Sequence, residues 1–442
     1  MRHQHRRTFL KTSGALLGGI FAGSTVVAAE RTDRFVVEAD DVATLERAGL
    51  DVVYDLTATG TAVVEGSESD VSSVTSSYAP DIEVSLQDPD INESAPEETR
   101  DEPGYSIQWD KQSLDVPEVH TVTRGEGTRV AVIDSGVAAT HPDLEHAVNV
   151  ELSRNFTGDG YGAGVPAGGD HGTHVAGIVA ANDANDEGVV GSAPGTEIVD
   201  CRVFSTGPTA SFADILAAVV YSANVGSDAA NLSLGAYPIP RQSLREFYGK
   251  RLNSIMTYAN SQGTVLTISA GNDAADLQHD KNFISLPNEG AQAFSVAATG
   301  PKGYAFDAGD GAQGPESPAF YTNYGTNAID IAAPGGDALL AAIEEYPESW
   351  FYDLVYNTVS TPQFNKRGDY IKADHAYGWK AGTSMAAPQV AAAVALVRSV
   401  DPNLSADDVK SRLKRAASVP DGYDKAYYGS GYLDILGAVT NE

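Results

Sequence analysis

Ser384 lies between Thr383 and Met385, directly ahead of residues 386–397, an uncharged stretch rich in Ala and Val. That stretch is long enough to make a helix buried on every side. Pro388 fits such a helix only in its first turn, where backbone N–H groups have no intrahelical partner. Ser384 therefore stands at a helix N-terminus, where a serine is ordinarily a cap. Three other polar residues occupy comparable places. Asp134 ends the apolar run "RVAVID", His171 opens "HGTHVAGIVA", and Asn272 follows Ala270-Gly271 at the end of "TVLTIS". Each alone is explained by turn or surface chemistry. Together they supply a hydroxyl nucleophile, an imidazole to take its proton, a carboxylate to orient that imidazole and an amide to hold an oxyanion. Those are the parts of acyl transfer. The helix starting after Ser384 adds a backbone N–H and a positive dipole end where negative charge would develop.

Two other chemistries fit less well. His171 and His174 form H-x-x-H, but H-E-x-x-H is absent and no third metal ligand suggests itself. His174 is expected to support the site through a hydrogen bond. An α/β-hydrolase elbow needs G-x-S-x-G, and Ala386 occupies the last place.

The elements that must hold these residues are legible as pattern. From Tyr105 to the C-terminus, β-rich runs alternate with helical ones, as in an α/β fold with a parallel sheet. Polar strand ends beside glycine are where open α/β sheets place their sites. Ahead of it, residues 34–86 read strand, helix, strand, strand, helix, strand, with Gly60 at the hairpin turn. That order suits a small ferredoxin-like α+β unit. The next segment, "QDPDINESAPEETRDEPG", is acidic, holds three prolines and reads as an exposed linker. Residues 1–29 place Arg6-Arg7 ahead of Phe9-Leu10-Lys11, followed by a glycine-diluted apolar stretch ending at Ala28-Ala29. It is too short and glycine-rich for a membrane anchor. It resembles a twin-arginine signal, which hands folded proteins to the export machinery.

The chain carries 60 acidic and 29 basic residues, a net charge of −31, and only 11 Lys. Such a balance excludes nucleic acid and anionic membranes as partners. The acids are spread along the chain, and 42% hydrophobic content argues against disorder. A distributed acidic surface suits concentrated salt, where repulsion is screened within about 3 Å at 1 M. The single cysteine, Cys201 in "EIVDCRVF", rules out a disulfide within the chain and reads as a packed thiol.

The motifs "VAVIDSGV", "HGTHVAG", "SAGN" and "GTSMAAP" occur in the chain order Asp, His, Asn, Ser. In that order they resemble the subtilisin-like serine proteases. The likeness continues through "GSAPG", "NLSLG", "IDIAAPG" and "YYGSGYLDILGA", covering about residues 105–442. It implies an α/β fold with a parallel sheet and helices on both faces. It also implies a secreted serine endopeptidase, acting as a monomer on protein and peptide substrates with no organic cofactor. On the matching positions Asp134 is the orienting carboxylate, His171 the general base, Ser384 the nucleophile and Asn272 the side-chain oxyanion donor. Ser233, Leu234 and Gly235 match the strand that pairs with substrate, and Ser269, Ala270 and Gly271 the wall of the specificity pocket. None of the reactive residues is lost, as would be expected of a binding protein built on an inactive protease scaffold.

The same resemblance makes residues 30–100 a propeptide, with an inhibitor and chaperone unit at about 34–86 and an acidic linker. Residues 101–442 are then the catalytic domain, released by self-cleavage between about Asp88 and Glu102. With the export signal and the acidity, the likeness is to halolysins, secreted proteases of salt-loving microbes. The loop "NDANDEGVVG", residues 182–191, partly resembles the family's calcium loop. On that match Asn185 would bind Ca²⁺ by its side chain, Asp183, Glu187 and Val189 by their carbonyls, and Asp143 by its carboxylate. Four features depart from the family pattern. Gln389 stands where His is frequent, Ala392 and Ala236 where Gly is frequent, and residues 336–380 form a long insertion with a partly helical pattern, expected as a surface excursion.

Overall fold

A computed structural model describes residues 30–86, 89, 91–94 and 104–441, apart from 187, 208, 281 and 305–311. Residues 1–29, expected as an export signal, and residues 95–103 lie outside the described residues. The first unit comprises strand β1 (Glu30–Glu38), helix α1 (Val42–Arg47), strands β2 (Asp51–Leu56) and β3 (Thr61–Glu65), helix α2 (Glu68–Val74) and strand β4 (Tyr78–Ser85). Its strands form an antiparallel sheet in the order β2-β3-β1-β4. Asp41 and Ser67 cap the two helices by accepting from the backbone N–H groups of Ala43 and Asp70. Gly60 makes the turn into β3 at φ +71°, which a side chain would resist. Phe35, Val37, Leu45, Val64 and Val71 enclose a small core of the unit's own.

After β5 (Asn92–Ser94) come helices α3 (Trp109–Ser113) and α4 (Val116–His120), then β6 (Arg129–Asp134), β7 (Arg154–Asn155), α5 (His171–Ala180), β8 (Glu197–Arg202), β9 (Thr209–Ser211) and α6 (Phe212–Asn224). The chain continues through β10 (Ala229–Leu232), β11 (Ala236–Pro240), α7 (Arg241–Ser261), β12 (Val265–Ser269), β13 (Phe283–Leu286), β14 (Ala293–Thr299) and β15 (Ile331–Pro334). It closes with the hairpin β16 (Val355–Phe364) and β17 (Tyr370–Lys380) and helices α8 (Thr383–Val400), α9 (Ala406–Ala416) and α10 (Ile435–Thr440).

Seven strands form one parallel sheet in the order β15-β14-β12-β10-β6-β8-β7. Covered on both faces, they read as apolar runs without alternation. In β6, Val130 and Val132 enter the core shared with α5 and α8, while Ala131 and Ile133 enter the one shared with α6 and α7. Strand order turns back at β6, with β8 on one side and β10 on the other. The C-terminal end of such a strand opens a crevice, and Asp134 ends β6.

The first unit is fastened to this domain. β4 pairs antiparallel with β9, Glu83 opposite Ser211 and Ser85 opposite Thr209. Arg34 Nη2 lies 2.5 Å from Asp214 Oδ1, with both side chains buried, and the Tyr54 hydroxyl lies 2.9 Å from the same oxygen. Asp81 accepts from Ser211 Oγ at 2.6 Å and from the Ala213 N–H at 3.0 Å, so it caps α6 from outside the domain. Gln389 accounts for its departure from the family. It accepts from Lys111 Nζ at 2.9 Å and donates to Asp110 Oδ2 at 2.8 Å, tying α3 to α8 through fully buried side chains.

Several sequence expectations are corrected. Helix α8 starts at Thr383, ahead of Ala386, so Pro388 falls in its second turn. The N–H that Pro388 lacks would have bonded the Ser384 carbonyl; Ser233 Oγ donates to that oxygen instead, at 2.7 Å. The segment expected as an exposed linker contains a buried Ile91 and strand β5, which pairs with Gly378–Lys380 of β17. The 336–380 insertion carries two short 3₁₀ turns, Leu340–Ala342 and Trp350–Asp353, but it is not a simple surface excursion. Trp350, Phe351, Tyr356 and Trp379 are buried at its base, and the hairpin lies along α5, where Thr358 Oγ1 donates to the Thr173 carbonyl at 2.8 Å.

Candidate active site

Asp134 is fully buried, and its Oδ1 accepts from the Ser135 N–H at 2.6 Å and lies 2.7 Å from His171 Nδ1. An ionised carboxylate only accepts, so Nδ1 carries the proton and chemistry at this ring must pass through Nε2. His171 is the first residue of α5, reached through a loop that β8 holds down. Arg202 donates to both oxygens of Asp159, at 2.6 and 2.8 Å, and Asp200 Oδ2 accepts from the Gly164 N–H at 2.9 Å. Burial pushes the Asp200 carboxyl up to about 7. Neighbouring Cys201 is buried and its thiol is pushed well above the usual range by burial, as a packed residue should be.

Ser384 is the second residue of α8, where backbone N–H groups have no intrahelical acceptor, and its Oγ lies 3.4 Å from the Ser233 carbonyl. Asn272 Oδ1 accepts from both the N–H and the hydroxyl of Thr383, each at 2.9 Å. This fixes the amide's oxygen end and turns Nδ2 away from Thr383. Ser384, Asn272, Leu234, Gly235, Ser269 and Gly271 line a single cleft. Two residues expected there do not line it. Ser233 is buried behind Ser384, and Ala270 is buried with its N–H donating to the Val296 carbonyl at 3.0 Å. A larger cavity, about 590 Å³, is lined by Asp115, Glu316, Asp421 and Asp434 and includes none of these residues.

His174 does not brace this cleft as expected. It is fully buried, with Nε2 3.2 Å from the Val355 carbonyl and 3.3 Å from that of Gly378, so it holds the hairpin; burial pulls its pKa well down. Two supporting residues escaped the sequence reading. Thr383 anchors Asn272. Asn323 accepts from the N–H groups of Asp273 and Ala275, at 3.0 and 2.9 Å, and donates to the Ala270 carbonyl at 2.9 Å, fixing the turn that carries Asn272. Nothing around Asn323 in sequence marks it, because only the fold brings it to that turn.

Among the described residues, the Asp143 and Asn185 side chains expected to serve calcium bond each other. Asp143 accepts from Asn185 Nδ2 at 2.7 Å and from the Val189 N–H at 3.0 Å. Since a carboxylate offers no hydrogen, Asn185 presents its NH₂ group there, not the oxygen a cation needs. The Asp183 side chain pairs with Arg124, and Glu187 lies outside the described residues. Among the described residues, no three His, Cys, Asp or Glu side chains come together as a metal site.

A twisted parallel sheet with a Ser at a helix start and a His–Asp pair at the turning strand is the arrangement of subtilisin-like proteins. The family description "Subtilase family" matches residues 125–431, and the chain belongs to that family of serine proteases. Halolysin of Haloferax mediterranei is 30% identical over 348 residues; the alignment takes in 78% of this chain and 55% of halolysin's length. Subtilisin Savinase of Lederbergia lenta is 30% identical over 337 residues, which is 75% of this chain and 98% of Savinase. Among solved structures, a protease from Pseudoalteromonas arctica superposes with TM-score 0.60 at 27% identity, covering 78% of this chain and 99% of that one. The epidermin leader peptide processing serine protease of Staphylococcus aureus shares the fold, with TM-score 0.68 at 21% identity over 92% of this chain and 97% of its own.

Proposed function

We propose that the protein is a secreted serine endopeptidase, made as a zymogen that processes itself and adapted to concentrated salt. The 2.7 Å contact between His171 Nδ1 and Asp134 Oδ1 carries this reading. Ser384 Oγ attacks the carbonyl carbon of a peptide bond while His171 Nε2 takes its proton. Asp134 steadies the imidazolium, and the oxyanion is met by the Ser384 N–H and Asn272 Nδ2. His171 then passes the proton to the leaving amine as the C–N bond breaks, and water hydrolyses the ester by the same route.

Residues 30–100 are read as the propeptide. The β-α-β-β-α-β order supports a ferredoxin-like unit, and the β4–β9 pairing supports inhibition by a strand laid on the catalytic domain's edge. Self-cleavage between about Asp88 and Glu102 follows, and residues 1–29 direct export through the twin-arginine machinery. Ser384→Ala tests the reading. Turnover of peptide and ester substrates falls on the order of a millionfold, labelling by a serine-directed phosphonate is lost, and the chain retaining residues 30–86 accumulates. Hydrolysis surviving in that variant would overturn the nucleophile, and normal processing of it without another protease would overturn self-cleavage.

A further inference from the structure

We propose that the β16–β17 hairpin takes the place of a cation in fixing the 182–191 loop, so that the domain's stability does not draw on calcium. The argument starts at Gly188, whose φ of +75° bends the loop back on itself. A Cβ there would overlap both Asp143 Oδ2 and the Tyr377 hydroxyl, so carboxylate and phenol lie side by side against the loop backbone. Tyr377 belongs to the insertion. The Asp143 carboxylate is fully buried, and it accepts from the Asn185 amide and the Val189 N–H. Neutral donors thus meet a carboxylate that in a calcium loop would face a cation, which is one way a buried carboxylate is satisfied.

The same strand grips the segment before Asp143. His141 Nδ1 accepts from the Asp143 N–H at 3.2 Å, so the ring's proton sits on Nε2, which donates to the Ala376 carbonyl at 3.1 Å. The His141 ring meets Tyr377 edge-on at 5.4 Å and His375 at 5.2 Å. The loop's far side is closed by Gly104, whose N–H donates to the Gly188 carbonyl at 2.5 Å, and by Gln108, which bonds both backbone groups of Val190 at 2.9 and 3.0 Å. These contacts are protein hydrogen bonds and ring contacts, to which Asp183 adds an ion pair with Arg124, and several come from a hairpin that an uninserted chain would lack.

The test is thermal melting of the full chain carrying Ser384→Ala, in molar NaCl, with excess EDTA or with millimolar CaCl₂. This readout does not involve catalysis, so it stands or falls separately from the proposed activity. The midpoint is the same in EDTA and calcium. Tyr377→Phe keeps the ring and removes the hydroxyl, lowering the midpoint by about 2–4 °C in both solutions. Asp143→Asn lowers it equally in both. A saturable rise of the midpoint with calcium that disappears in Asp143→Asn would establish a cation site and overturn the proposal. An unchanged midpoint for Tyr377→Phe would also overturn it.

Discussion

Replacing Arg34 tests how the first unit is held on the catalytic domain. The guanidinium is 6% exposed, lies 2.5 Å from Asp214 Oδ1 and 3.7 Å from Asp81 Oδ2, and stacks over the Tyr54 ring at 5.4 Å. Arg34→Met keeps most of the packing but leaves two buried carboxylates without their cation. Breaking a buried pair from one side costs about 3–5 kcal/mol. That is a loss of roughly a hundredfold to a few thousandfold in affinity. On the proposed processing, the assay is inhibition of the cleaved enzyme by added 30–100 fragment, wild type against Arg34→Met, in dilute and in molar NaCl. Because the pair is buried, the ratio of inhibition constants persists in molar salt, where the screening length is only about 3 Å. Lys250 and Glu38, 3.1 Å apart but exposed, serve as the contrast. Lys250→Ala changes inhibition less than about fivefold in dilute salt and not at all in concentrated salt. Equal inhibition by the wild-type and Arg34→Met fragments, or a ratio that collapses in molar NaCl, would refute the reasoning.

Three further outcomes are expected. Asn272→Ala lowers kcat by about 10²–10³ with the fold intact, through loss of one oxyanion donor; an unchanged rate removes Asn272 from the site. The Asp200 carboxyl, raised by burial to about 7, stays protonated in the fold while it ionises in the unfolded chain. Its contribution is therefore fully present below about pH 4 and is lost as pH rises to about 7, on the order of 4 kcal/mol at most. Urea unfolding of Asp200→Asn should show a flatter pH dependence across that window than the parent, and parallel dependences would dismiss the idea. Finally, with 60 acids against 29 bases, the Ser384→Ala chain should unfold on dilution to 0.01 M salt, where charges interact over about 30 Å, and stay folded in molar NaCl. Circular dichroism across a salt series decides it, since equal stability at both ends would show that the acidity is no salt adaptation.

The sheet and the reactive residues were legible because parallel strands announce themselves. Uniform apolar runs such as Val130–Ile133 and Val265–Ile268 end on polar residues, Asp134 beneath His171 and Ser269 on the cleft wall. What stayed hidden depended on partners distant in sequence. Residues 92–94 look like linker until β17 lies beside them, and the helical pattern around Trp350 proves to be a single 3₁₀ turn that leads into the paired strand β16. His174 has the spacing of a site residue, yet its acceptors are carbonyls 181 and 204 positions away. Sequence alone puts Pro388 in a first turn, and only the Ser233 hydroxyl explains why α8, which starts earlier, tolerates it in the second.

The pairing of β4 with β9 has a consequence for how one molecule of the protein meets another. A bare strand edge is an invitation to aggregate, and molecules in transit have many chances to meet. While the first unit is attached, the β9 edge is occupied by residues of the same chain. Were the unit removed, as the proposed processing would do, the bared edge would be only three residues, Thr209–Ser211, before the chain turns into α6. So short an edge could seat one extended peptide but would give a neighbouring molecule too little to build a sheet upon, and the proposed cleavage would leave no sticky flank behind.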